Sequence, residues 1–580
     1  MKSRIAPALA VAFFALQLVA CGGGGGGGTS NPPPTPAPPP VVIEKPATRA
    51  EAARFLTQAT FGPTDADIDR VMSVGYAAWI DEQLALPASS HRTTWEAADT
   101  AIKLATPTAS AGQNDVLYSF WQQAITGPDQ LRQRTVFALS QVFVISMQEG
   151  TVGDQPRAVA AWLDMLGDKG LGNYRELLEA VSLHPLMGAY LSHLRNQKAD
   201  TRTGRVPDEN YAREVMQLFS IGVAKLDEGG RESAEPTYNS ADISGLAKVF
   251  TGWSYACPGF PQNSCFSGGS YNGVSDPDRW LKPMLGYPQY HSAEEKKFLG
   301  VTVAVQSPAD PNVSLKAALD ALAAHSNVGP FLGKQLIQRL VTSNPSEAYV
   351  TAVARAFANN GAGVRGDMRA VLKAVLMHPE ARQSSDRAGK LREPLLRLSA
   401  LLRAFPHASE TGSWRIGNTD NPGTSLGQTA LRAGSVFNFY RPGYIAPGSR
   451  MAQAALVAPE MQLVHETTAS GTINTLRDVV ASGVGANAPS GKRDIQGNYS
   501  AELALADKPA ELVDRVLAKL VIGTPPATLK SEIVAAVTSI AIPALTANAS
   551  NQAAVDTAKR SRVNTALLLT LVSPEFLVQK

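Results

Sequence analysis

The chain has 580 residues, 44% of them hydrophobic, with 53 Lys+Arg against 50 Asp+Glu and a formal net charge of +3. That apolar content suffices for a buried core and excludes wholesale disorder, and the near-balanced charge gives no nucleic-acid footprint. Three cysteines and eight histidines exclude a disulfide-stapled scaffold and an iron–sulfur site and leave little for a histidine-rich metal centre, so neither metal nor cofactor is expected.

At the N-terminus, Lys2 and Arg4 precede an apolar stretch, residues 5–20, interrupted by Gln17 and ending Leu18-Val19-Ala20-Cys21. At ~16 residues it is shorter than the roughly 20 of a permanent transmembrane helix. The last four residues resemble the bacterial lipobox, in which the cysteine is lipidated and becomes the first residue after cleavage; the plainer alternative is a secretory signal with an incidental cysteine. Seven glycines, 22–28, follow, then a proline-rich run, 32–40, broken by Thr35 and Ala37. Glycines give a flexible tether and prolines an extended spacer. Residues 1–20 thus read as a lipoprotein signal peptide, 21–46 as a disordered tether anchored to a membrane through Cys21, and 47–580 as the body. Gly22 after the cysteine favours the outer membrane.

The body reads as all-α. Thr48-Arg49-Ala50-Glu51 forms a capping box ahead of Phe55 and Leu56, and Gly62-Pro63 closes that segment. Helical spacing of apolar residues recurs over 114–124, 131–145, 345–358, 367–376, 391–405, 511–521 and 560–572, and Ser314 is placed to cap another run. Strand-like alternation is confined to 301–305. Three apolar helices end in His184-Pro185, His378-Pro379 and Ser573-Pro574, where proline stops the helix and the preceding side chain can reach its last carbonyls.

No Gly-x-Ser-x-Gly elbow, zinc-protease helix, P-loop or calcium loop is present. The densest polar motif is Asp208-Glu209-Asn210-Tyr211-Ala212-Arg213-Glu214-Val215-Met216-Gln217-Leu218-Phe219. It reads either as a solvated helix face carrying i,i+4 pairs or as a cleft wall with Asn210, Arg213 and Glu214 as acid/base or ligand-anchoring groups. In the second case Glu214 should be held by an arginine, with Arg392 and Arg441 as candidates. Residues 252–300 form a long aromatic loop, which is either a rigid insertion or a recognition surface presenting Trp253 and Tyr255. Within it, Cys257 and Cys265 are expected to pair outside the cytoplasm, and His291, near Glu294 and Glu295, is its main titrating group.

Together with Ser220-Ile221-Gly222, that motif resembles the signature of the bacterial domain-of-unknown-function family 1800. Further blocks agree in order: Phe250-Thr251-Gly252-Trp253, Lys297-Phe298-Leu299-Gly300, Asn327-Val328-Gly329-Pro330-Phe331 with Gln338-Arg339-Leu340-Val341, Gly389-Lys390-Leu391-Arg392-Glu393-Pro394, and Ser435-Val436-Phe437-Asn438-Phe439-Tyr440-Arg441-Pro442. Phe219 and Ser292 depart from the pattern, standing where many members carry histidine and aspartate. These departures weaken a metal or proton-transfer role there. The resemblance implies an exported, mainly helical protein, often encoded beside a sulfatase-like exported family, number 1501. It directs attention to Arg392, Glu393, Asn438, Tyr440 and Arg441 as binding residues. The expected function is a surface lipoprotein acting in binding or assembly with an exported partner. The alternative is a hydrolase on an extracellular polymer, with Asn210, Arg213, Glu214 and His291 converging in a cleft.

Overall fold

A computed structural model describes residues 44–383 and 388–580; the expected signal peptide, the expected tether before Glu44 and Cys21 lie outside the described residues. The described residues form 26 α-helices, one 3-10 helix and thirteen strands of two to five residues in six small sheets. The protein is mostly helical, and the all-α expectation is corrected by these strands. Most are too short for period-two alternation to register. The 301–305 run does form a strand, Val301–Val303, against Lys296–Phe298.

Local signals account for many helix starts. Thr48 caps Arg49–Ala59 by accepting from the Glu51 N–H, while Glu51 reaches back to the Ala47 N–H. Ser314 is not a cap. Asp310 accepts from the N–H groups of Asn312 and Val313, Pro311 takes the first helical position, and Ser314 sits buried a turn further on. The His-Pro and Ser-Pro junctions also differ from expectation. His184 and His378 accept through Nδ1 from Leu186 and Glu380, so they cap the next short helix instead of the carbonyls behind them, while the Ser573 hydroxyl does both, accepting from Phe576 and donating to the Thr570 carbonyl at 2.8 Å. Proline supplies the first residue of those helices because its missing N–H costs nothing there.

Two hydrophobic cores result. The first includes Trp79, Trp162, Tyr174, Phe219 and Leu336, and the second packs Phe61, Trp121 and Phe137 against C-terminal helices through Leu512 and Leu567. The helix Gln130–Ser140 is buried along its whole length, giving Leu131, Val136 and Leu139 to the first core and Phe137 to the second. The chain's end returns to the middle, where Val578–Gln579 pairs antiparallel with Lys390–Leu391.

Residues 252–300 form a packed insertion. Trp253, Tyr255, Trp280 and Tyr287 are buried, which favours the rigid insertion over a recognition surface presenting Trp253 and Tyr255. Cys257 and Cys265 are bonded, with Cα atoms 5.7 Å apart, and pack with Phe266 and Tyr287. Gly252, at φ +78°, explains its motif: a Cβ there would meet the His291 nitrogen and the Tyr287 carbonyl at 2.8 Å.

Burial depresses seven histidines in this fold, among them these three: His184 to about 3, and His193 and His291 to about 4. All three are neutral when folded and protonate near pH 6.5 when unfolded, so their stabilising effect is complete above about pH 6.5 and lost as pH falls toward 4. Denaturation across this window should show stability falling by on the order of 3 kcal/mol per histidine, with a shallower slope for His291→Gln. A flat profile between pH 7 and 4.5 would contradict this.

Candidate functional site

Charged side chains meet where the two cores join. Lys390 Nζ lies 2.9 Å from Glu460 Oε1, with side-chain exposures of 0% and 1%. Glu393, also fully buried, accepts at Oε2 from Gln141 at 2.6 Å and from Gln428 at 2.5 Å, and the Tyr440 hydroxyl donates to Gln141 Oε1 at 3.2 Å. The helix Val328–Leu340 points its C-terminal carbonyls into the same place. The Arg339 carbonyl accepts from Arg134 at 2.7 Å and Lys390 at 2.8 Å, and Gln579 donates to the carbonyls of Leu340 and Val341. A helix C-terminus carries partial negative charge, which favours cations at that position.

Four buried cations, Arg134, Arg339, Lys390 and Arg397, lie near two buried carboxylates, Glu393 and Glu460, while buried Arg392 lies over the Phe576 ring. Burial pushes Arg392 and Arg397 down to about 10, still protonated at neutral pH, and lowers Arg134 and Arg339. It raises Glu460, which Lys390 only partly offsets, and raises Tyr440 well above its ordinary value, helped by Glu393 and Glu460. Among the described residues, Arg134 Nε and Nη1, Arg339 Nε, Glu393 Oε1 and Glu460 Oε2 have no hydrogen-bond partner. A cavity of about 10 Å³, near the lower limit for one water, lies beside Gln141, Gln428 and Asn438.

This junction opens on one side into a cleft of about 550 Å³. Gln141, Gln338 and Arg339, all more than nine-tenths buried, belong to both. Three of the sequence blocks build the walls: Gln217, Leu218 and Gly222 from the densest motif, Phe331 and Gln335 from the helix Val328–Leu340, and Val436, Phe437 and Pro442. A concave, mostly apolar space of this size with a few convergent polar groups has the form of a ligand site.

The family model described as "Protein of unknown function (DUF1800)" matches residues 54–578. The chain belongs to this family. No curated protein and no solved structure matches it. The DUF1800 blocks quoted above thus supply both the buried junction and much of the cleft wall.

The site residues expected from sequence divide sharply. Arg392, Glu393 and Tyr440 are buried, inside the protein rather than at a binding surface. Asn438, at φ +64°, adopts a left-handed turn that asparagine tolerates, and Arg441 is exposed, its guanidinium 4.5 Å from the centre of the Phe437 ring. Trp253 and Tyr255 belong to the core. Asn210 and Arg213 are exposed, the former held by Asp208 and Ser192 and the latter 3.7 Å from Glu209. His291 is wholly buried, donating through Nδ1 to the Thr251 carbonyl at 2.7 Å and facing the Ser314 hydroxyl at 3.0 Å through Nε2. Glu294 and Glu295 pair instead with Lys248 and Lys297. No side-chain hydrogen bond or ion pair joins Asn210, Arg213, Glu214 and His291 to one another, so the expected acid/base set does not assemble. Among the described residues no group of three or more His, Cys, Asp or Glu is placed to hold a metal ion.

The expected arginine clamp on Glu214 is also corrected. Arg392 lies over the Phe576 ring and Arg441 over Phe437, while Glu214 is buried with Oε2 unpartnered among the described residues. Burial raises its pKa, with Arg213 only partly offsetting. A carboxyl raised in the fold costs stability once pH climbs through its unfolded value near 4.3, and the cost is complete at neutral pH. Glu214→Gln should therefore stabilise the protein at pH 7 and lose that advantage as pH falls below the unfolded carboxylate value, read by chemical denaturation. A loss exceeding about 1 kcal/mol at pH 7 would show that a cation does hold Glu214.

Proposed function

We propose that this DUF1800 protein is an exported outer-membrane lipoprotein, anchored through Cys21, whose helical body binds a partner at the cleft. The observation that carries the binding reading is the cleft itself, walled by three of the family's own sequence blocks and backed by a fixed charged junction. The lipobox-like Leu18-Val19-Ala20-Cys21 and the Gly/Pro tether support anchoring, because two acyl chains hold a protein at a bilayer without a spanning helix. Among the described residues no helix is long and apolar enough to cross a membrane. The partner we favour is an exported protein of the sulfatase-like family 1501. The hydrolase alternative has less support, because the four groups it required do not come together.

Two measurements test these claims separately. Cys21→Ala should accumulate as uncleaved precursor and lose lipid labelling; normal processing with retained detergent-phase partitioning would contradict the anchor. A photo-reactive phenylalanine analogue at position 437 should yield a discrete adduct with the sulfatase-like protein in the native envelope, and the same analogue at exposed Val274 should not. Adducts at both positions, or at neither, would contradict cleft-mediated partnership.

A further inference from the structure

The insertion 252–300 buries its tryptophans but leaves other apolar side chains in water. Phe260, Tyr271 and Val274 are exposed, Val274 at 70%. Asn272 at φ +50° and Gly273 at φ +77° form the two-residue turn of a hairpin in which Tyr271 stands opposite Val274, so both side chains leave the same face. The Tyr271 ring also fills the space beside Gly259, where a Cβ would meet it at 2.2 Å, which sets the turn carrying Phe260 against the hairpin. The Cys257–Cys265 bond braces that turn between its ends.

A second turn, within residues 195–206, is fastened to the insertion. The Arg195 N–H donates to the Trp253 carbonyl at 2.8 Å, the Lys198 N–H to the Tyr290 carbonyl at 2.9 Å, and Arg195 Nη1 to the Ser267 carbonyl at 3.0 Å. An Asp200–Arg205 bridge closes this turn, and Val206 beside it is 74% exposed. Across residues 195–206 and 257–282 every carboxylate is already paired: Asp200 with Arg202 at 3.3 Å, Asp276 with Lys282 at 2.6 Å and Asp278 with Arg157 at 2.5 Å. Asp208, just beyond, accepts from the Ser192 hydroxyl and the Asn210 N–H. Four cations are left over. Arg195, Lys198, Arg205 and Arg279 all reach solvent and form no ion pair among the described residues; the three arginines donate only to carbonyls.

Apolar side chains on turn tips, flanked by long unpaired cations, complement an anionic bilayer. The rings and branched chains enter the headgroup boundary while the cationic heads meet lipid phosphates. A fluid bilayer conforms to separate protruding tips, whereas a protein partner needs a matched face of roughly 800 Å². We infer that these two turns form a lipid-contact surface that holds the body against an anionic membrane, with Phe260, Tyr271 and Val274 entering the headgroup boundary. None of these residues lines the cleft, and the contact does not depend on Cys21 being lipidated.

An environment-sensitive dansyl amino acid at position 274 of the full chain tests it. Exposed position 545, between the helices Ala527–Ser539 and Gln552–Leu571, is the control. Vesicles of phosphatidylglycerol should shift the emission at 274 to the blue, vesicles of phosphatidylcholine should not, and position 545 should stay unshifted in both. A lipidated Cys21 would hold the chain on either vesicle, so the difference between the two lipids reports the turns and not the anchor. Lys198→Gln with Arg205→Gln, checked for an unchanged thermal transition, should lower the ratio of shifted to unshifted emission about twenty-five-fold, roughly fivefold for each cation removed. Equal shifts with the two lipids, no shift with either, or a shift at 545 matching that at 274 would overturn the inference. So would a blue shift at 274 that grows with protein concentration in the absence of vesicles, which would assign the turns to a second copy of this chain.

Discussion

The Lys390–Glu460 contact, with Glu393 beside it, is the constraint on which the rest of this molecule depends. An ion taken out of water costs several kcal/mol even after relaxation, and a buried pair recovers that only when its remaining polar atoms are also satisfied. Here satisfaction is incomplete, with Glu393 Oε1 and Glu460 Oε2 unpartnered among the described residues, and what there is comes from distant parts of the chain: Arg134 and Gln141 early, the C-terminus of the helix Val328–Leu340, Gln428, Tyr440 and finally Gln579. None of these segments can shift without stranding a buried charge. The junction therefore fixes how the two hydrophobic cores meet, a matter on which nondirectional apolar packing is permissive.

The same constraint shapes the cleft. Arg339 donates from one guanidinium nitrogen to the Gln141 carbonyl at 2.9 Å, while its Nε has no acceptor. Gln338 is likewise held by two carbonyls and left with an idle oxygen. Both side chains are thus held in place by the junction at the cleft's inner wall. In the outward direction, Arg441 rests on the Phe437 ring at the cleft wall, and exposed Asn210 and Arg213 belong to the adjoining helix face.

The helices were largely legible in sequence because their signals are local. Thr48 caps where it should, and the apolar spacing over 345–358 and 367–376 corresponds to Glu347–Ala358 and Met368–Met377. Errors arose where a residue's role is set by a distant partner. Ser314 has a capping side chain, but Pro311 moves the start back to Asp310 and places Ser314 against His291. The loop aromatics looked like a surface because sequence cannot show Trp253 donating to the Val249 carbonyl or Tyr287 to that of Tyr255. Arg392, Glu393 and Tyr440 were expected as binding residues, whereas the fold buries all three. Arg134, Gln141, Gln428 and Glu460 were missed. A signal for the first two was available: polar residues around the segment 130–141 leave that helix no continuous solvated face. Glu460 sits in a short 3-10 turn, Pro459–Leu463, with no local mark of its burial.

The dry charged junction is tested most directly by a double-mutant cycle on Lys390 and Glu460. Lys390→Met alone should cost about 3–5 kcal/mol of unfolding free energy at pH 7, because it leaves Glu460 as an uncompensated buried carboxylate, and adding Glu460→Gln should recover most of that loss. Additive losses in the double mutant, or a single-mutant loss below about 1 kcal/mol, would show that the pair is solvated and that the two cores do not depend on it.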